Sequence, residues 1–121
     1  MQLINERTRT CVADSVDIAE TRRARRRGLL GREGLRDGEA LMLSPCLAIH
    51  TAFMRFSIDL VFVDGDGQVV RTVSRVRPWR MAICLRARSV IELPGGHLDS
   101  CPVQAGDRMY LAPVREQRRA S

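Results

Sequence analysis

The chain has two histidines, and each has a cysteine four residues away: Cys46-x-x-x-His50 and His97-x-x-x-Cys101. Two thiolates and two imidazoles would make a reasonable tetrahedral zinc set. The i, i+4 spacing turns both groups to one ligand only on a helix, and Pro45 with the apolar run downstream leaves little room for one at Cys46. The expectation is therefore no metal and no cofactor, with Cys46, His50, His97 and Cys101 as the one set that would hold a metal. A Cys–His nucleophile asks for more. It needs the thiol and imidazole in hydrogen-bond reach, a third orienting group and an oxyanion pocket.

Two carboxylates stand in apolar surroundings. Asp59 follows Ile58 at the head of IDLVFV, and Glu92 lies between Ile91 and Leu93. A carboxylate in such a strand is half-buried and must be paired or bonded to backbone amides. If the two strands are neighbours and the acids share a pocket, one pKa rises, which is how an acid/base pair is made. That arrangement would support a small hydrolase-like enzyme using Asp59 and Glu92 with His50, and carboxyls within about 6 Å in an open cleft would favour it. The plainer expectation is that each acid anchors backbone or pairs with an arginine such as Arg55 or Arg77.

Arg55 and the segment Arg77-Pro78-Trp79-Arg80 bracket the central hairpin. Arginines beside an indole can build a wall for an anion or a sugar, by bidentate bonding and stacking. Equally, Trp79 could plug the open end of a sheet with arginines laid over it. A ligand pocket is expected to carry His50, Arg55, Asp59, Trp79 and Glu92 on its rim. His50 is the most functional of these in character, because it titrates near neutral pH and no turn requires it.

The elements that must position these groups are mostly short strands. Residues 1–9 are polar and read as a frayed start. Thr10 to Ile18 reads as an opening strand. Thr21 is a plausible cap for a helix over RRARRR that ends near Gly28 or Gly31. GREGLRDGEA is loop, and ALML at 40–43 is a short buried strand stopped by Ser44-Pro45. Ile58 to Val63 is apolar on both faces, which marks an interior strand. Asp64-Gly65-Asp66-Gly67 turns the chain, with a hairpin favoured over a calcium loop because later ligand positions are missing. Gln68 to Val76 is a half-exposed return strand with Val69 and Val73 on one face. Met81 to Leu85 is a short strand or turn, Ser89 to Leu93 a strand, and Pro94 to Pro102 a loop. Arg108 to Leu111 is the last strand, and residues 115–121 read as a frayed tail.

The totals fit one domain, over residues 10–114, without disulfides. The length is 121 residues, 45% of them hydrophobic, enough to bury a core. The four cysteines include no C-x-x-C and read as reduced thiols. No apolar run is long enough to span a membrane. The first residues lack a secretory pattern, which points to the cytoplasm, although a leader already removed would leave the same beginning. The net charge of +6 and a pI near 10.4 raise nucleic acid as a partner, through the Arg22 to Arg27 helix. Against it, every one of the 20 basic residues is arginine and aromatics make up only 4%, which suits surface arginines better than base stacking.

Five stretches occur in an order that resembles the DUF192 family (domain of unknown function 192): GLLGREGL, ALML, IDLVFVDGDGQVV, VIELPGG and AGD. The resemblance runs from about residue 12 to 112. It implies a small β-rich domain with one helix and no established catalytic activity. Asp59, Phe62, Asp64, Glu92, Gly96, Gly106 and Asp107 match the family pattern. Where many members have an aromatic-Met-x-Asn-Thr stretch, this chain reads His50-Thr51-Ala52-Phe53-Met54, and Ser57 replaces a common proline. The IHTAFMRF form thus looks like a branch of the family.

Together these observations give a mainly β (α+β) domain: a compact, curled or barrel-like, mostly antiparallel sheet with one N-terminal helix. The function expected is a non-catalytic module that binds a small anionic or sugar-like ligand, or a protein partner, at one end of the sheet. Catalysis by Asp59 and Glu92 is the alternative, and nucleic-acid binding the third reading. The sequence does not fix the oligomeric state.

Overall fold

The computed structural model describes residues 1–29 and 32–114. In chain order the elements are β1 (Gln2–Asn5), β2 (Thr10–Ala13), β3 (Ser15–Ala19), α1 (Arg22–Arg27), β4 (Glu39–Leu43), β5 (Ala48–His50), β6 (Ile58–Val63), β7 (Val69–Val76), β8 (Met81–Ile83), β9 (Ser89–Pro94), α2 (His97–Ser100) and β10 (Met109–Ala112). The described strands form three sheets, ordered β10-β1-β2, β3-β4-β9-β6-β7 and β5-β8.

The longest apolar runs become the interior of the five-stranded sheet. All six residues of β6 are buried, as are five of the six in β9. Such strands must be covered on both faces, and they are. On one face Val61, Val63, Ile91 and Leu93 pack with Leu3, Val12 and Met109 of the three-stranded sheet. On the other, Leu41, Leu60, Phe62 and Val90 pack with Ile49 and Ala82 of the β5–β8 ribbon and with Leu29 beyond α1.

β3 and β4 are the parallel pair. Parallel neighbours need a crossover, and α1 supplies it. Thr21 caps this helix as expected, its Oγ1 accepting from the Ala24 N–H at 3.0 Å. The helix stops at Gly28, which takes a positive φ of 47°. The alternative stop at Gly31 falls outside the described residues, as does the tail from 115.

The DGDG turn forms as read. Asp64 Oδ1 accepts from the N–H groups of Asp66 and Gln68 at 2.9 and 3.0 Å. Gly67 is obligatory there, because a Cβ would stand 2.5 Å from the Met109 carbonyl oxygen.

Several expectations need correction. The central sheet is mainly antiparallel but does not close into a barrel, since β3 and β7 are free ends of its strand order. A second short helix, α2, occupies part of the stretch read as loop from Pro94 to Pro102. Thr10 to Ile18 is two strands, broken at Asp14, whose N–H turns to the Gly38 carbonyl at 2.9 Å. Val69 and Val73 belong to opposite faces, because the β6–β7 ladder shifts register between Phe62 and Val63. Residues 2–5 are not frayed: β1 is the middle strand of its sheet, and Leu3 is buried. Its end is tied by Asn5, whose Nδ2 donates to Asp107 Oδ2 at 2.9 Å. Arg7 pairs with the same carboxylate and, with the amide of Gln104, holds its pKa down at about 2.

Candidate functional site

The pairing of β6 with β9 decides where the two buried acids point. Asp59 lies opposite Leu93, and Glu92 lies opposite Leu60. Successive residues of a strand alternate faces. Asp59 therefore turns to the core that contains Leu93, and Glu92 to the core that contains Leu60. The two carboxyls stand on opposite sides of the sheet and share no pocket.

Their environments differ as much as their directions. Asp59 is fully buried, and its Oδ1 accepts from the N–H of Arg75 at 2.8 Å and of Gly96 at 3.0 Å. Its Oδ2 accepts from the N–H of Leu98 at 2.8 Å. One carboxylate thus holds a bulge in β7, where Arg75 has a positive φ of 52°, and the first turn of α2. This is the backbone anchor that the plainer expectation described. Glu92 is 5% exposed, and its Oε2 has no hydrogen-bond partner among the described residues. Burial pushes its pKa up to about 7, opposed only in part by the charge of Arg32.

Glu92 lines a cleft of about 240 Å³ between α1 and β5. Arg25, Arg26 and Arg27 border it on the helix side, and Leu43, Ile49 and Met54 provide apolar lining. Cys46 and His50 supply its other polar side chains. All three residues of β5, Ala48, Ile49 and His50, line it, and among the described residues that strand pairs with β8 alone. Cys46 donates to the Ala48 carbonyl at 3.1 Å, and burial pushes its thiol pKa up. A thiol in that state is a poor nucleophile.

The expected rim residues thus divide. His50 and Glu92 meet at one cleft, joined by Cys46. Asp59 is behind the sheet, and Arg55 and Trp79 are outside the cleft lining. Trp79 does not plug the sheet, for it is 61% exposed and packs edge-on against Phe53 with ring centroids 4.6 Å apart. The four metal candidates are also split. Cys46 packs with the core under α1, whereas Cys101 packs with the opposite core. His97 is engaged with the Val12 carbonyl at 2.6 Å. No group of three or more His, Cys, Asp or Glu side chains with metal-binding geometry occurs among the described residues.

Sequence reasoning missed the three arginines of α1 as cleft residues. No residue of that helix is buried, so its pattern gives no hint of which side faces the protein. The β3–α1–β4 crossover is the signal that would have placed them. The helix is six residues long, and three of its five arginines border the cleft.

The fold and site define a class: a small, mainly β domain whose open central sheet is covered on both faces, with a polar cleft under a crossover helix. The model of the DUF192 family, described as Uncharacterized ACR, matches residues 3–111, and the chain belongs to that family. A UPF0127 protein from Thermococcus sibiricus is 32% identical over 98% of this chain and 79% of its own length. A UPF0127 protein from Pyrococcus furiosus is 33% identical over 51% of this chain; that match spans about half of the relative, 53%. Among solved structures, a protein of unknown function from Novosphingobium aromaticivorans superposes with a TM-score of 0.73 at 20% identity, over 79% of this chain and 74% of its own. A Sinorhizobium meliloti structure gives 0.78 at 19% identity, over 90% and 89%. At these identities the two structures attest the fold alone. Among the described residues, no helix is long and apolar enough to cross a membrane.

Proposed function

We propose that this domain is a binding module whose ligand is a small anion held in the cleft between α1 and β5. The observation that carries the reading is Glu92, a cleft-lining residue whose buried Oε2 has no hydrogen-bond partner among the described residues. A buried polar atom left without a partner costs free energy that a ligand group would recover. Near neutral pH this carboxyl exchanges between donor and acceptor, so it suits a hydroxyl, an amide or a second carboxyl on the ligand. Arg25, Arg26 and Arg27 supply the positive field for a carboxylate or phosphate. The cleft volume of about 240 Å³ is below the roughly 300–1,000 Å³ of drug-sized sites. That favours a compact hydroxy acid or sugar acid over a nucleotide.

Thermal unfolding and calorimetry against a panel of small hydroxy acids, sugar acids and phosphorylated sugars test this. A true ligand at a hundredfold excess over its Kd should stabilise the fold by about 2.7 kcal/mol. Glu92→Leu should abolish that shift while keeping the fold. No shift from any panel member, or an unchanged shift in Glu92→Leu, ends the reading.

A second reading is favoured by the titration of Glu92 alone, which falls where a general acid works best. It would pair Glu92 with His50 across the cleft. Asp59 takes no part in it, since its carboxylate is committed to three amides on the far side of the sheet.

A further inference from the structure

Two large aromatic side chains stand in water where the fold has no packing use for them. Phe53 is 70% exposed and Trp79 61%. Both sit at a positive φ, 64° and 63°, a conformation that bulky residues rarely take. Strain of this kind persists only where the surroundings over-determine it. Here they do so through Thr51, which is fully buried. Its N–H donates to the Arg80 carbonyl at 2.8 Å, and its Oγ1 donates to the Arg77 carbonyl at 2.6 Å. The same Oγ1 accepts from the Arg80 N–H at 2.8 Å, and the Trp79 N–H donates to the Thr51 carbonyl at 3.0 Å. A rigid, satisfied network thus holds the Phe53–Trp79 pair outward. Met81, two residues on, is also exposed, at 71%.

The two segments that hold this pair carry charge of one sign. From Gln68 to Ile91 the chain has six arginines and no Asp or Glu, and from Ser44 to Ile58 it has Arg55 and no acid. Arg55, Arg77 and Arg80 are all exposed.

We propose that the Phe53–Trp79 pair and the arginines around it dock this domain on an anionic phospholipid surface. Indole and phenyl rings favour the headgroup level of a bilayer. Guanidinium groups bond phosphates bidentately while their stems lie along apolar surface. What favours a lipid surface over a protein partner is that these segments carry arginines and no acid, the charge that an anionic headgroup layer attracts. The surface is separate from the cleft lining and does not depend on what the cleft binds.

The full chain is incubated with vesicles of phosphatidylcholine, with or without phosphatidylserine, and sedimented. Trp79, the single tryptophan, reports insertion by a blue shift of its emission. Binding is expected to require phosphatidylserine and to fall as salt rises. Arg55→Gln and Arg80→Gln should each weaken it by about fivefold, and Phe53→Asn by about tenfold. Asn tolerates the positive φ, so an unchanged urea midpoint is expected for that variant. The two arginine variants, both on exposed side chains, give an independent reading. Absence of serine-dependent sedimentation overturns the proposal. So does binding that survives all three substitutions, or a Trp79 response to polyglutamate with none to vesicles, which would assign the surface to an acidic polypeptide.

Discussion

Asp59 and Glu92 belong to adjacent strands, differ in register by one residue, and are both out of water. Yet both oxygens of the first are bonded, whereas Oε2 of the second has no partner among the described residues. On the Asp59 face a carboxylate replaces the strand pairing that the β7 bulge and the start of α2 forgo. On the Glu92 face the α1 crossover leaves a cleft beside the acid. A buried acid is thus evidence of a site only once its hydrogen-bond partners have been counted. The anchor should govern whether the chain folds, and the orphan should govern what it binds.

Breaking the anchor should have the largest effect. Asp59→Ala leaves the amides of Arg75, Gly96 and Leu98 without an acceptor. At about 1–3 kcal/mol for each buried unsatisfied group, and allowing for non-additivity, the loss should be about 3–5 kcal/mol in urea unfolding. A loss below about 1 kcal/mol would mean that water replaces the carboxylate and that the contrast between the two acids is false.

The orphan should show itself through pH. Glu92 has an ordinary value of 4.5 and titrates at about 7 in the fold. The folded chain therefore holds this proton more tightly than the unfolded chain between those values. Stability from this group is complete below about pH 4.5 and is lost as pH rises to about 7, by about 3 kcal/mol in total. Asp107, held at about 2 against an ordinary 3.8, acts in the opposite sense: its stabilisation is present above 3.8 and lost toward pH 2. The two windows do not overlap. Urea unfolding of the native protein and of Glu92→Gln between about pH 5 and pH 8 separates the Glu92 contribution from the histidines. Equal slopes in both proteins would show that Glu92 is not buried as an acid in solution.

Much of this framework is legible in the sequence, and the limits have physical causes. IDLVFV and SVIELP are apolar enough to be interior strands under any topology, and DGDG and Thr21 carry their own local chemistry. The opposition of Asp59 and Glu92 is different in kind. It depends on β6 and β9 pairing with Asp59 across from Leu93, and a shift of one residue would reverse it. No local feature encodes that register. Strand β1 was hidden for a related reason, because the side-chain amide of Asn5 at its polar end finds its acceptor in Asp107, 102 residues away. The cleft combines a helix wall, a ribbon edge and a sheet floor that no stretch of sequence displays together.

The smallest effect should come from the wall that faces Glu92. α1 has six residues, none of them buried, so little beyond its caps holds it in place. Thr21→Ala removes the acceptor of the Ala24 amide and should cost about 1 kcal/mol at most, near the limit of a urea experiment. Its local consequence should be larger than its global one. Amide exchange at Ala24 and Arg25 should quicken by about fivefold, the equivalent of that energy. Exchange within β6 and β9 should stay unchanged. Affinity for any anion that binds in the cleft should fall along with the order of Arg25, Arg26 and Arg27, while the Asp59 side of the sheet is indifferent. If Thr21→Ala instead quickens exchange throughout the central sheet, the helix is part of the cooperative core. The cleft wall and the folding anchor would then be one unit.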